Sequence, residues 1–503
     1  MNRCIMKFIL SLDQGTTSCR ALLINHEGET VGIAQKEFRQ IYPKPGWVEH
    51  DANEIWSIQA AVTVEVLEKN HIALEQIAAI GITNQRETTV IWNRLTSEPI
   101  APAIVWQDRR TSPLCSELKK KNYSPLFHKK TGLLLDPYFS GTKIAWLLDT
   151  IPGARKQAEM GELAFGTIDS WLVWKLTDGK VHITDATNAS RTLLYNIHTG
   201  EWDEELLRIL NVPRLILPEV RGSSEIYGHT STQLFTIPIP IAGIAGDQQA
   251  ALFGHACLTE GMGKVTYGTG CFILVNTGSK PVLAKGDLLT TIAYKIGNEV
   301  TYAIEGSVFI GGAAVQWLRD NLDIIENASD IEELASSVPD SEGVVFVPCF
   351  TGLGSPYWDP HARGTIFGLT RGTTKAHLAL ATLEAIAFQV ADIIDLMRDG
   401  GRFLIKELRV DGGAVRDNLL MQLSSNLLNI PLIRPKSTEI TALGAAFLAG
   451  LAIGFWKNQN EIKKLWKEDS HFSPLLLPNE IKKRKNEWHH AIHCVQVWSK
   501  NEE

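Results

Sequence analysis

Cysteine is scarce and shows no pattern. The seven cysteines, at positions 4, 19, 115, 257, 271, 349 and 494, are odd in number and widely spaced, with no Cys-x-x-Cys. That excludes a disulfide framework and a structural zinc site, and it fits a reducing cytoplasm. No run of about 18 apolar residues occurs, so no membrane span is indicated. A net charge of −7 offers no basic surface for nucleic acid or for a membrane. Met1 to Leu12 holds two basic residues and an apolar patch, lacks a small-residue cleavage site and runs straight into Asp13. It reads as a first strand rather than a leader. The Gly-x-x-x-x-Gly-Lys-Ser/Thr loop and the protein-kinase signature set are both missing, which excludes those two nucleotide-binding classes. With 503 residues the chain exceeds one core, and two domains are expected.

What is present begins with Phe8 to Arg20, FILSLDQGTTSCR, followed by the apolar Ala21 to Ile24. The pattern predicts strand, tight turn, strand, with Asp13 at the strand tip and Gly15 free to take a positive φ. Thr16, Thr17 and Ser18 gather hydroxyls and backbone N–H groups in a concavity that favours an oxyanion. A carboxylate beside it suits Mg²⁺. Lys264 to Val275, KVTYGTGCFILV, resembles this stretch, so the second domain is expected to copy the first, with the boundary near Ala256.

Between and beyond these landmarks strands and helices alternate. Val48 to Lys69 predicts a helix capped by Asp51. Ile77 to Thr83 predicts a buried strand ending in the polar Asn84 to Thr89, with a further strand at Val90 to Trp92. Ile104 to Arg110 reads as a strand ending in an aromatic and charges. Asp136-Pro137 marks a turn before a helix capped by Ser140 or Thr142, with Tyr138 in the loop. Asp247 falls where the strand from Ile241 meets a helix, either as an N-cap or as a functional carboxylate. Gly311 and Gly312 open another helix, and Val344 to Thr370 is rich in loop residues. Thr373 to Arg398 predicts a helix buried between layers, capped by Thr373 or Thr374. Leu408 to Val410 lead through Asp411, Gly412 and Gly413 into a helix at Asn418 to Leu428, an arrangement that suits a nucleotide. Thr441 to Gly454 is a small-residue helix built for close packing. Lys482 to Lys485, KKRK, reads as a solvated helix face. His489 with His493, and His490 with Cys494, have zinc-compatible spacing but no further ligands.

Paired hairpins, acids at strand ends and a late glycine pair together describe two lobes closing on a nucleoside triphosphate. The motifs DQGTTS, NQRETT, WQDRRT, DPYFSGTK, GDQQAALFG, YGTGCF and VDGGAV occur in that order. On them, from Leu10 to about Phe455, the chain resembles the FGGY carbohydrate kinases. The resemblance implies an α/β fold of two actin-like, ribonuclease-H-like domains with a catalytic cleft between them. Residues 1–256 would bind polyol and phosphates, and residues 257–503 the nucleotide. The implied reaction is ATP-dependent phosphorylation of glycerol to sn-glycerol 3-phosphate, with Mg²⁺, in the cytoplasm, by a homo-oligomer (dimer or tetramer). Asp247 would be the general base. Arg86, Glu87, Tyr138 and Gln248 would bind the hydroxyls, with Trp106 and Phe272 covering the carbons. Thr16, Thr17, Ser18, Arg20 and Thr269 would meet the phosphates, Asp13 the metal, and Gly312, Gln316, Gly413 and Asp417 the nucleoside.

Two departures stand out. The family usually carries Asn where this chain has Asp417, and an ionised Asp cannot donate a hydrogen bond; adjacent Asn418 is the alternative donor. Some bacterial members are inhibited by fructose 1,6-bisphosphate through a loop bearing Gly and Arg. Thr230 to Pro240 has neither, so weak or no inhibition is expected. The competing readings are a kinase for another polyol or a ketose, an actin-like chaperone or filament ATPase, and an inactive sensor. Retention of Arg86, Glu87, Asp13 and Asp247 argues against each.

Overall fold

In FILSLDQ, alternate side chains fill two different cores. This strand, β1 (Phe8–Gln14), is buried along its whole length. Phe8, Leu10 and Leu12 face one layer and Ile9 the other, the period-two alternation of a central strand. The structure is a computed structural model that describes residues 6–232, 235–284, 288–357, 359, 361–399 and 404–499. Residues 233 and 234, inside the 230–240 stretch, lie outside the described residues.

Around β1 the first sheet adds β2 (Ser18–Ile24), β3 (Thr30–Glu37), β4 (Ile77–Asn84), β5 (Ser224–His229) and β6 (Pro240–Gly246), in the order β5-β6-β4-β1-β2-β3. The second sheet comprises β7 (Met262–Tyr267), β8 (Cys271–Gly278), β9 (Leu289–Ile296), β10 (Glu299–Val308), β11 (Glu407–Asp411), β12 (Leu432–Pro435) and β13 (Glu468–Phe472), in the order β9-β10-β8-β7-β11-β12-β13. Both place a first strand at the centre, with an antiparallel hairpin partner on one side and a parallel strand on the other. The run β3-β2-β1-β4-β6 matches β10-β8-β7-β11-β12, so the faint sequence repeat is a repeat of topology.

The principal helices are α1 (Ala52–Lys69), α2 (Ser140–Thr150), α3 (Asp247–Gly254), α4 (Gly312–Asp320), α5 (Lys375–Asp399), α6 (Asn418–Leu428), α7 (Ile440–Ala452) and α8 (Pro478–Ser499). Asp51 caps α1, accepting from the Asn53 and Glu54 N–H groups at 2.8 and 3.2 Å. Helices α3 and α7 lie between the sheets in one core, with Ile9 and Ala242 on one side and Leu274 and Ala303 on the other. Small residues make this possible. A Cβ on Gly444 would fall 1.8 Å from the Ala250 carbonyl, and one on Gly81 2.3 Å from that of Ala445. Ser11 and Ser224 pin α7 to the first sheet, each hydroxyl donating at 2.7 Å to Ala442 O and Leu448 O.

On the far side of the second sheet, α5 is the one helix among the described residues long and apolar enough to cross a membrane. Most of it is buried in the core. Helix α8 is fastened to it: Asp392 accepts from Trp488 Nε1 at 2.7 Å, from His489 Nε2 at 2.9 Å and from the Tyr357 hydroxyl at 2.8 Å.

Several local expectations need correcting. The KKRK segment is only half solvated, because Arg484 pairs with Glu384 at 2.7 Å and Lys485 with Asp395. In the 104–110 segment only Ile104 is strand, the end of the short Ala103–Ile104 pairing, and a turn follows. Phe139, not Ser140 or Thr142, occupies the N-cap of α2; the Ser140 hydroxyl donates to Glu87 O at 3.0 Å, and that of Thr142 meets Thr111 at 2.9 Å. Of the two threonines expected to cap α5, Thr374 immediately precedes it, its hydroxyl 3.0 Å from His377 Nδ1, while the Thr373 hydroxyl accepts from the Thr370 N–H at 2.9 Å and closes the turn ahead of it. Gly15 is not among the positive-φ glycines; its N–H donates to Ser18 O at 2.9 Å to close the β1–β2 turn. His490 and Cys494 approach to 3.9 Å, and no metal-holding group of three occurs among the described residues.

Candidate active site

The C-terminal ends of the central strands of both sheets carry the residues singled out above. Asp13 ends β1 with its side chain 3% exposed and paired to Arg20; Arg20 reaches on to Glu439 at 2.6 Å. In the β1–β2 turn Thr17 is exposed. Thr16 Oγ1 accepts from Trp106 Nε1 at 3.0 Å, and Ser18 Oγ from Gln35 at 3.1 Å. The matching β7–β8 turn presents an exposed Thr269. Its Gly268 carbonyl receives the Gly312 N–H at 2.8 Å, which seats the start of α4 against the turn. Gln316 is exposed on α4, and Gly413 is exposed after β11. Gly412, at φ +95°, lies so close to Tyr267 that a Cβ would fall 2.4 Å from its carbonyl. The five residues expected at the nucleoside and second phosphate turn thus occupy one end of the second sheet.

The polar cluster forms where β4, β6 and the second sheet converge. Arg86 and Glu87 follow β4, with side chains 2% and 1% exposed. Glu87 has φ +60°, a left-handed backbone that is uncommon outside glycine and frequent at functional sites. Arg86 grips Glu305 through two nitrogens at 2.6 and 2.9 Å, and also reaches Gln249 Oε1 and the Tyr138 hydroxyl, both at 3.2 Å. Its Nε lies 3.2 Å from Asp247 Oδ1. Asp247 is the first residue of α3, with Gly246 as the cap. Lys264 donates to Gln248 and, at 2.7 Å, to Thr266. Trp106 meets Tyr138 and Phe272 edge-on at 5.7 and 6.3 Å, so Phe272 of the second sheet joins two turn residues of the first half in one aromatic wall.

Glu305, Arg191, Gln249, Lys264 and Lys143 also belong to this region and were missed. Arg191 donates to Glu87 at 2.6 Å and to Glu305 at 2.9 Å. Lys143 donates to Tyr138 O at 2.8 Å. A signal existed for two of them: Lys264 and Glu305 are charged residues inside apolar strands, and buried charges are normally paired.

Burial and partners set the charges. Burial raises Glu305, but Arg191 and Arg86 outweigh it and hold the carboxyl at about 2. Burial raises Asp247 above its ordinary value against the pull of Arg86, and the charge of Asp13 adds to the rise. Burial lowers Lys264 to about 8 and Lys143 to about 7. Asp417 caps α6, accepting from Leu420 N at 2.8 Å. Its second oxygen is buried without a partner, and burial lifts the group to about 6. Asn418 Oδ1 accepts from Arg434 at 3.0 Å. The donor set suits Mg²⁺: two mutually repelling carboxylates, Asp13 and Asp247, end strands separated only by β4. A hard cation bound through one or two carboxylates relieves that repulsion and takes its other ligands from phosphate and water.

A doubled sheet topology enclosing such a cluster defines a sugar-kinase-type cleft, and the chain belongs to the FGGY family of carbohydrate kinases: the N-terminal domain model matches residues 8–254 and the C-terminal one residues 263–453. Among its relatives, the protein named glycerol kinase in Deinococcus radiodurans is 59% identical over 497 residues, covering 99% of each chain. That of Trichlorobacter lovleyi is 57% identical over 494 residues, covering 98% of this chain and all of the other. The crystal structure of Plasmodium falciparum glycerol kinase with ADP matches with a TM-score of 0.92 at 37% identity, over 97% of this chain and 98% of that one. A xylulose kinase from Lactobacillus acidophilus shares the fold, with a TM-score of 0.88 at 24% identity over 98% of both chains.

Proposed function

We propose that the protein transfers the γ-phosphoryl group of ATP to glycerol, giving sn-glycerol 3-phosphate and ADP. One observation carries this reading. A buried donor (Arg86), a buried acceptor (Glu87) and a partly open carboxylate (Asp247) converge beside the wall formed by Trp106, Tyr138 and Phe272. Such a set matches a small molecule with adjacent hydroxyls and a short carbon backbone. The names of the relatives, and the ADP in the Plasmodium structure's title, support the same reading.

In this reading one hydroxyl enters between Arg86 and Asp247 and replaces their 3.2 Å contact. A neighbouring hydroxyl donates to Glu87. Asp247, its proton affinity raised by burial, accepts the proton as the terminal oxygen bonds to phosphorus and the bond to the ADP oxygen breaks. A carboxylate suffices because the transition state is loose and positioning dominates. Tyr138 and Gln248 complete the polar set. Thr16, Thr17, Ser18, Arg20 and Thr269 receive the phosphates, and Gly312, Gln316, Gly413 and Asp417 line the nucleoside. Asp13, beside Asp247, would hold Mg²⁺, which when bound would neutralise phosphate charge. Residues 1–256 thus serve polyol and phosphates, and residues 257–503 the nucleotide. The described cysteines are free thiols, five of them buried, which supports a reducing, cytoplasmic setting. Family analogy supports a dimer or tetramer.

The test is ADP release from Mg-ATP with and without glycerol. Turnover that depends on glycerol is expected, and turnover indifferent to it overturns the substrate assignment.

A further inference from the structure

Arg86 and Glu87 are consecutive, oppositely charged and buried, yet Arg86 Nε and Glu87 Oε1 stand 3.8 Å apart, beyond hydrogen-bond distance. Left alone, such a pair would close on itself and leave nothing to offer a ligand. Each is instead held by another partner. Glu305, fully buried on β10 of the second sheet, takes two Arg86 nitrogens at 2.6 and 2.9 Å. Arg191, equally buried, takes Glu87 Oε1 at 2.6 Å. The square closes where Arg191 Nη2 meets Glu305 Oε1 at 2.9 Å. The Arg191 guanidinium also lies 5.6 Å from the ring centre of Tyr138 and 5.2 Å from that of Phe139, which fixes it on a third side. Two-nitrogen Arg–carboxylate contacts fix orientation as well as charge.

We infer that Glu305 and Arg191 are positioning residues that keep the Arg86 donor and the Glu87 acceptor apart, and so set the site's demand for two neighbouring hydroxyls. The inference rests on the glycerol-phosphorylating reading and adds its specificity device. A substrate lacking one hydroxyl leaves a buried polar group unpaired and is rejected. That rejection lasts only while Arg86 and Glu87 cannot satisfy each other. With Glu305 or Arg191 removed, Arg86 and Glu87 pair, the vacant hydroxyl position costs less, and discrimination falls. Because Glu305 comes from the second sheet, the selectivity of a site built mainly on the first sheet depends on the other half of the molecule.

The test compares glycerol with propane-1,2-diol as phosphoryl acceptors for wild type, Glu305→Gln, Arg191→Met and Arg191→Lys. Glu305→Gln keeps shape but loses the charge that attracts both guanidinium groups. The glycerol KM should rise at least about 20-fold, the ATP KM should stay within about two-fold, and the glycerol preference in kcat/KM should fall at least about 10-fold. Arg191→Lys, which restores the charge, should recover part of the preference lost in Arg191→Met. Should Arg191→Met fail to fold, Glu305→Gln decides alone. Equal loss of kcat/KM for both acceptors in a folded variant indicates a merely structural role and overturns the inference while leaving the function intact. Wild-type turnover without glycerol dependence overturns the function and the inference with it.

Discussion

The two sheets share a strand order but not a chemistry. At the tip of β1 stands Asp13, opposite Arg20 across the hairpin; at the matching tip of β7 the cross-strand pair is Thr266 and Phe272. Beyond β4 come Arg86 and Glu87, whereas beyond β11 come Gly412 and Gly413. The first copy follows its strand with buried charge, whereas the second, after an Asp411 already paired to buried His255 at 2.9 Å, follows it with bare glycine backbone. Each choice suits its proposed ligand. Hydroxyls that must be told apart and deprotonated call for charged donors and acceptors, while a nucleotide carrying its own charge and base needs close approach. Topology fixes where a site falls, and side chains decide which half reacts.

The sharpest way to break the charged half is Asp247→Ala. It should lower kcat by about a thousand-fold or more while glycerol KM changes far less, read from coupled ADP release. A comparable glycerol KM with near-normal kcat would remove Asp247 as the base. The bare half is broken by Gly412→Ala. At φ +95°, with the Tyr267 carbonyl 2.4 Å from the added carbon, the substitution should cost about 2 kcal/mol in urea unfolding and raise the ATP KM more than the glycerol KM.

Asp417→Asn sharpens the comparison, since it removes a half-buried charge at the start of α6, just beyond the glycine turn. The Asp417 pKa is lifted from 3.8 to about 6 by burial. Between those values the folded chain holds the extra proton, so the group weakens stability as pH rises through the window, and the cost is complete above it. The variant should gain about 1 kcal/mol at pH 8, after allowance for partial exposure, and almost nothing at about pH 3, below both values. A gain independent of pH would contradict the assignment. The smallest effect concerns fructose 1,6-bisphosphate: with neither Gly nor Arg in residues 230–240, titration should leave the rate within about two-fold, and strong inhibition would contradict that.

Where function depends on residues close in sequence, the sequence was readable. The Asp13 and Thr269 turns, the Asp247 strand-to-helix junction and the Asp411–Gly413 turn all lie where short motifs put them, because a strand end, a turn and a helix start are local events. The small-residue pattern of α7 was readable for the same reason. Glu305 and Arg191 were not, since their partners lie 219 and 104 residues away, and no local period marks such a pairing. The KKRK segment misled because charges read as solvated unless their acidic partners, Glu384 and Asp395, are known to face them.

Helix α7 has a consequence for how the chain is made. Gly81 and Gly243 on the first sheet are notched to fit Ala445 and Ala449, yet that helix is synthesised only after every strand of the second sheet except β13. During translation one apolar face of the early sheet therefore waits, uncovered, for a segment near the far end. A fragment ending near residue 256 would expose that face permanently, so the two lobes, alike in plan, are not separable parts.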